Sequence, residues 1–444
     1  MNGRTSPTGL LLALGAAMEL AFLALYAAPA GAAGVLWMIG VNVVAYALFA
    51  LAVRLLRRAE LPPGGGALVV LLFGVLFRLS LVPHGVIGSD DIYRYLWDGR
   101  VAASGINPYA YTPTDPHLAA LATDNLPSSV NHPELKSVYP ALAQGFFLLA
   151  HTLFGESVAA MKALLVLADC LTLLVLWRFV RTQRAPAAAL LLYAWSPLPV
   201  LYFGLDGHID ALGILCVVCA LAFFTREKPF RGAAALGAGA LAKLVPLIML
   251  PLLVRNLKGA RRFIVPAIPV LMVIAGALIY YEPSWGVVQS LSTFSSRWEF
   301  NGSVFSVFYF LTGSNEAAHI VSGGLALVAL GAIAALDRPL VEKVFWSFAA
   351  FVLVSPVVHP WYLTWLAALL PLRWSPGVFV FLGTSAAANV VVYQYRAFGE
   401  WRDQPLLLAV EYIPVFLLLA REIRRGEILP AAIAPGGIPR EGSA

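Results

Sequence analysis

The densest chemistry in the chain lies in the run Gly88-Ser89-Asp90-Asp91-Ile92-Tyr93-Arg94-Tyr95-Leu96-Trp97-Asp98-Gly99-Arg100. Two adjacent carboxylates stand just beyond an apolar stretch, followed by aromatic side chains at 93, 95 and 97. Carboxylates accept hydrogen bonds from hydroxyl groups and can serve as a general base. Aromatic faces stack on the apolar faces of pyranose rings. Asp91 and Asp90 are therefore candidate catalytic acids, and Tyr93, Tyr95 and Trp97 candidate sugar-binding side chains. Asn107, in Gly105-Ile-Asn107-Pro-Tyr109, adds a further polar group. A membrane-interface aromatic belt accounts for isolated Trp and Tyr residues, but not for an acid pair beside three aromatics.

Three other places concentrate polar residues. Asn131-His132-Pro-Glu134-Leu-Lys136-Ser-Val-Tyr139-Pro140 offers His132, Glu134 and Tyr139 to the same site. A zinc centre would need three or four ligands at recognisable spacing, so no metal is expected there. Asp206-Gly-His208-Ile-Asp210 reads either as a divalent-ion loop or as a solvated turn, and the turn is favoured, with His208 near the active cavity. The last place comprises Arg297-Trp298-Glu299-Phe300-Asn301 and His359-Pro-Trp361-Tyr362. A cationic or hydrogen-bonding cluster at an interface can hold a lipid phosphate. Arg297, His359 and Tyr362 are candidates for that task, and Trp298, Asn301 and Trp361 for substrate contact. Arg297 reads equally as a snorkelling interfacial side chain.

The elements that must position these residues are membrane helices. Of 444 residues, 60% are hydrophobic and 12% charged, against roughly 45–50% and 25% in soluble domains. Apolar runs of about 20 residues, the length of a spanning helix, recur throughout. The net charge of +6 comes from short basic clusters at the ends of these runs. That is the positive-inside pattern rather than a nucleic-acid surface. The clusters Arg54–Arg58, Arg178–Arg184, Arg226–Arg231, Arg255–Arg262, Arg338–Lys343 and Arg421–Arg425 should be cytoplasmic. Spans are expected near 9–28, 35–55, 66–83, 158–180, 186–204, 209–224, 263–281, 304–335, 344–358, 361–372, 377–393 and 406–420. The first resembles a signal peptide but is long and carries Glu19, so a retained span is expected. Residues 84–139 then form a large extracytoplasmic loop, returned by 141–154, which is short enough to be re-entrant. The expected organisation is one transmembrane domain over 1–429, with a disordered cytoplasmic tail at 430–444. Cys170, Cys216 and Cys219 lie in apolar runs and are expected to pack, not to form disulfides.

Residues 232–254 have basic clusters on both flanks and are punctuated by Gly237, Gly239 and Pro246, with Lys243 at the middle. They read either as two half-helices that enter and return or as one ordinary span. Broken helices at membrane depth occur where backbone lines a cavity. An intramembrane cation is a functional hypothesis by default, so Lys243 joins the candidates for holding a lipid phosphate.

The runs SDDIYRYLWDGRVAASGINPYAYTP, NHPELKSVYPALAQ, SRWEFNGS and HPWYLTW resemble the polyprenol-phosphate-mannose-dependent mannosyltransferases of the GT-C superfamily, glycosyltransferase family 87 and related bacterial alpha-mannosyltransferases among them. The resemblance extends from about Phe77 to Tyr393. It implies an all-α polytopic membrane protein of GT-C type, with about 11–13 transmembrane helices and a large first extracytoplasmic catalytic loop. In the family the acid precedes an aliphatic residue and, four residues on, a Tyr. Asp91-Ile92-Tyr93-Arg94-Tyr95 matches, so the resemblance gives Asp91 the catalytic role. The eukaryotic GPI-anchor mannosyltransferases carry a spaced Asp-x-Asp here. Ile92 takes the place of the second acid, which argues against a metal held between two acids.

The resemblance further implies inverting transfer of a hexose, most simply mannose, from a polyprenyl-monophosphate sugar donor to a lipid-linked or cell-envelope glycan acceptor. The reaction would face the extracytoplasmic side of a bacterial cytoplasmic membrane. No nucleotide-binding Gly-rich loop is apparent, and no cofactor, divalent metal or nucleic-acid partner is expected beside the membrane lipids. Two alternatives stand beside this one. An O-antigen ligase or polymerase leans on Arg and His in a large late loop, whereas the acid-rich loop here comes early. A secondary transporter places charge near the midplane in paired halves, and no inverted repeat is visible.

Overall fold

The computed structural model describes residues 7–56, 65–182, 188–283 and 286–425. Arg57, Arg58, Arg184 and the expected 430–444 tail lie outside them. Among the described residues there is no β-strand, only two isolated bridges from Phe300 and Asn301 to Val357. The helices run in chain order: α1 Pro7–Leu23, α2 Ala32–Leu56, α3 Gly65–Leu81, α4 Asp91–Ala103, α5 Ala141–Phe154, α6 Val158–Thr182, α7 Ala188–Ala194, the turn α8 Pro197–Pro199, α9 Asp210–Phe224 and α10 Pro229–Ala242. They continue as α11 Leu250–Asn256, α12 Arg261–Ile279, α13 Gly286–Arg297, α14 Ser303–Thr312, α15 Asn315–Ala335, α16 Leu340–Val354, α17 Leu363–Leu369, α18 Pro376–Thr384, α19 Asn389–Phe398 and α20 Pro405–Arg424.

Among the described residues, seven helical stretches are long and apolar enough to cross a membrane, and five shorter apolar helices accompany them. The expected polytopic all-α architecture is therefore present. α1 is an integral part of the bundle, with Met18 and Phe22 fully buried. Long outward-facing apolar side chains such as Leu327 and Phe310 remain exposed, as lipid-facing positions require.

The bundle's first half is locked by charge. Arg78 of α3 pairs with Asp169 of α6, and both are fully buried. The guanidinium also donates to the carbonyls of Gly74 and Ala194 (both 2.7 Å), while Tyr193 of α7 donates to the other oxygen of Asp169 (2.5 Å). Every member has partners, which is what a charge in an apolar interior demands. Lys162 of α6 does similar work nearer the loops. Its ammonium donates to the carbonyls of Leu81, His84 and Leu205 at 2.7–3.0 Å, joining the end of α3 to the segment before Asp206.

The large loop contains α4 and a short 3-10 turn at Pro116–Leu121. It returns through α5, whose 14 residues extend only about 21 Å, short of a bilayer core of about 30 Å. α6, with 25 residues, is long enough.

The segment 232–254 is broken. α10 ends at Ala242, Lys243 is extended (φ −157°, ψ 133°), and the chain resumes through a 3-10 turn into α11. Gly237 faces Met272 and Pro269, and Gly276 faces Leu241, while Arg255 and Arg262 line one cleft at the other end of α12. The chain thus climbs to Lys243 and comes back, the half-helix alternative rather than the single span.

Two expected spans need correction. The stretch 304–335 is two helices, because Gly313 turns left-handed (φ 63°) and Ser314 caps α15 by accepting from Ala317 N–H. The stretch 361–372 is a 3-10 turn plus the seven-residue α17. All seven residues of α17 are buried, so it is an internal strut with no lipid-facing surface.

Candidate active site

Asp90 and Asp91 start α4, where the unsatisfied N–H groups and the helix dipole favour negative charge. The loop leading into them is held on several sides. Asp206 accepts from the N–H of Ile87 (2.9 Å) and Gly88 (3.0 Å), and Arg396 donates to the carbonyl of Ile87 (2.6 Å). Gly88 is required here, because an added Cβ would lie 2.5 Å from Asp206 Oδ2.

Asn131, at the far end of the same loop, gives hydrogen bonds from its amide nitrogen to Asp90 Oδ1 (2.9 Å) and Asp91 Oδ1 (2.8 Å). One neutral group thereby bridges two like charges. Asp91 Oδ2 lies 3.6 Å from His208 Nδ1. Burial, and next the charge of Asp90, push the Asp91 carboxyl up to about 6. A carboxyl raised by burial and by a neighbouring acid is a common active-site signature.

Asp206, His208 and Asp210 alternate along one stretch and have three separate partners. Asp206 grips the acid-bearing loop, His208 abuts Asp91, and Asp210 takes Lys243. The Lys243 ammonium contacts both Asp210 oxygens (2.7 and 2.8 Å) and lies 4.5 Å from the centre of the Tyr362 ring. Trp365 Nε1 donates to Asp210 Oδ1 (2.6 Å). His208 stacks on Trp361, Trp361 on His359, and His359 on Phe300, with centroids 4.1, 4.1 and 4.5 Å apart. Burial, and then the ammonium of Lys243, push His359 down to about 3. His208 is held well below the usual imidazole range by the same causes in the same order. Burial and the Lys243 charge thus favour the neutral form of both rings, which can donate or accept hydrogen bonds.

The structure gathers Asp90, Asp91, His208, Lys243, His359, Trp361 and Tyr362 into this cluster. His132 and Trp298 meet beside it, with ring centres 4.3 Å apart, and Glu134 lies 3.3 Å from His132. Other candidates are placed differently. Tyr95 and Trp97 are buried, with the Tyr95 ring stacked on Phe147 at 4.7 Å. Tyr139 meets Tyr95 edge-on, and Tyr93 is half-buried against the core. Asn107 binds the carbonyl of Tyr280 (3.0 Å) and accepts from its own loop's Tyr109 N–H. Asn301, left-handed at φ 52°, is 3% exposed and locked by Asp403, Glu411 and Tyr412, which leaves no room for a substrate. Arg297 is exposed at the end of α13 and makes no polar contact with the acids. Cys216 packs its Cβ against Gly239. Among the described residues no group of three or more His, Cys, Asp or Glu side chains is arranged to hold a metal.

Sequence reasoning missed Asn131 and Trp365. It favoured a solvated turn for 206–210, whereas Asp206, His208 and Asp210 are all buried, because each is taken up by its own partner.

Residues 8–258 match the model of the MptA_B family, described as alpha-(1->6)-mannopyranosyltransferase, N-terminal domain. Among solved structures, ArnT from Cupriavidus metallidurans bound to undecaprenyl phosphate is similar over 82% of this chain and 72% of its own, with 16% identity and a TM-score of 0.46. The search of curated proteins found no match. The family match covers more than half of the sequence and agrees with the resemblance carried by the motifs, so the chain belongs to the MptA_B family and is a glycosyltransferase.

Proposed function

We propose that the chain moves a mannosyl group from a polyprenyl-monophosphate donor to a hydroxyl of a lipid-linked or cell-envelope glycan, on the extracytoplasmic side of a bacterial cytoplasmic membrane. The observation that carries the reading is Asp91, tuned to about 6 and oriented through Asn131 at the head of the acid loop. The acceptor oxygen attacks the anomeric carbon while the bond from that carbon to the phosphate oxygen breaks. Asp91 takes the hydroxyl proton, the polyprenyl phosphate leaves with the bonding pair, and the anomeric configuration inverts. Asp90 orients its neighbour. Lys243 faces the leaving phosphate, as positioned cations do where negative charge develops, and His359 and Tyr362 are placed to donate hydrogen bonds beside it. Lys243 is tethered by Asp210, which fixes where its charge is presented. The step calls on no metal or other cofactor. The mannose assignment follows the family's description, and the polyprenyl donor follows the motif resemblance.

The test is a purified protein in detergent, given a short-chain polyprenyl phosphomannose labelled in the sugar and a mannoside glycolipid. Labelled glycolipid and polyprenyl phosphate should appear together, and chelation should not reduce either. Consumption of a pyrophosphate-linked oligosaccharide instead would favour a ligase or polymerase. Solute movement in proteoliposomes without a glycan product would favour a transporter. Reporter fusions after Asn125 and Asn301 should read extracytoplasmic and one after Arg58 cytoplasmic; a cytoplasmic reading at Asn125 removes the external site.

The pH dependence has a definite sign. A general base must be ionised, so transfer should fall about tenfold per pH unit below about pH 6, the Asp91 value. Because the charge of Asp90 helps to hold Asp91 up, Asp90→Asn should move that limb to lower pH. A limb that stays in place would separate the two acids electrostatically.

A further inference from the structure

Next to the loop end that bonds the acids lies a small exposed group that the displacement does not use. His132 follows Asn131, the residue that bonds both acids, and is held left-handed at φ 46°. Its side chain is 52% exposed and that of Glu134 is 65% exposed. Trp298, from the other half of the chain, packs directly against His132, with its ring centre 4.3 Å from that of the imidazole. Trp298 packs against the small apolar cluster around Phe300 and Val357, which fixes where its ring sits. His319 lies 3.2 Å from the Trp298 carbonyl, and Asn315 donates to the Glu299 carboxylate (2.6 Å), so Trp298 and the residue after it are tied to α15.

A fixed indole, an imidazole and an exposed carboxylate are complementary to a saccharide. The rings meet its C–H faces, and the acid and imidazole meet its hydroxyls. The donor phosphate is assigned above to Lys243, Tyr362 and His359, which leaves the His132, Glu134 and Trp298 group for the acceptor.

We propose that Trp298, His132 and Glu134 form an acceptor subsite. It binds the sugar ring next to the one whose hydroxyl reacts at Asp91, so the enzyme prefers an acceptor of at least two linked sugars. This assignment rests on the transfer reaction proposed above. Trp298 lies beyond residues 8–258, the part matched by the family model, whereas His132 and Glu134 lie within it, so the subsite draws on both halves of the chain.

The probe is an octyl α-1,6-linked mannose disaccharide, compared with octyl mannoside. With donor fixed, Trp298→Ala should raise the disaccharide KM about tenfold, the upper end of what one aromatic contact supplies. The monosaccharide KM, the donor KM and kcat should change less than twofold, and Trp298→Phe should recover most of the loss. A merely structural role would instead lower kcat for both acceptors together. Binding of the same disaccharide to the Asp91→Asn protein, followed by saturation-transfer NMR, reads the subsite without turnover. A donor other than polyprenyl phosphomannose would therefore sink the proposed reaction while leaving this result standing. Should Trp298→Ala fail to fold, His132→Ala and Glu134→Gln, at exposed positions, carry the test. Disaccharide binding unchanged in Trp298→Ala, or in both of the latter, overturns the subsite.

Discussion

Asp91→Asn yields a folded, well-expressed protein that binds donor and transfers sugar about 10²–10⁴-fold more slowly, the usual cost of losing a general base. The amide keeps an oxygen to accept from Asn131, so the loop closure is retained, and an acid-to-amide change at this partly exposed position should alter stability by within about 0.5 kcal/mol. The signature is a loss of kcat with donor KM little changed, since the proton is taken only as the hydroxyl attacks. Asp90→Asn should be milder, because Asp90 acts through its neighbour. Near-normal transfer by the Asp91 variant would overturn the assignment. Equal loss from both variants would mean that the pair works as one unit.

The second large effect is on stability. Arg78→Met leaves Asp169 buried in the bundle with only Tyr193 to serve it. Breaking a buried pair on one side costs about 3–5 kcal/mol, so thermal unfolding in detergent should shift sharply downward. Adding Asp169→Leu removes the orphaned charge and should restore most of the loss, since an apolar pair of similar volume is often as stable. A single variant as stable as the parent would show that the ion pair does not hold α3 to α6. Both variants leave Asp91 and its partners in place, so the protein that remains folded should keep its pH limb.

Much of the fold was legible because a membrane imposes a one-dimensional signal. Runs of about 20 apolar residues flanked by Arg and Lys need no tertiary contact to be read. The break at Lys243 was legible only as one of two readings, since basic residues flank it on both sides but a single span fitted equally. The failures arose where tertiary packing decides. The run 361–372 is apolar because it is enclosed by protein, which composition cannot distinguish from lipid. The aromatics at 93, 95 and 97 read as sugar-binding side chains, but protein packs around almost the whole of α4. Tyr95 and Trp97 are therefore buried in the packing and Tyr93 is half-buried. Asp90 and Asp91 were legible as an adjacent pair. Asn131 was not, because its importance comes from a loop closure that brings it back to acids 40 and 41 residues away. Asn301 looked like a site residue from its polar neighbours and is instead a structural clip.

The ring column His208–Trp361–His359–Phe300 has a consequence for taking the protein apart. It joins a residue inside the family-matched segment to three residues beyond it. A fragment ending near residue 258 would carry Asp91, His208 and Lys243 but would leave one face of the His208 imidazole bare and Lys243 without the Tyr362 ring. The remaining fragment would hold aromatic rings with no acid to serve. Two pieces cut in the turn at 257–260, where Gly259 is left-handed, should therefore be inert singly and regain transfer only when produced together in one membrane, with the stack itself acting as the seam that re-forms.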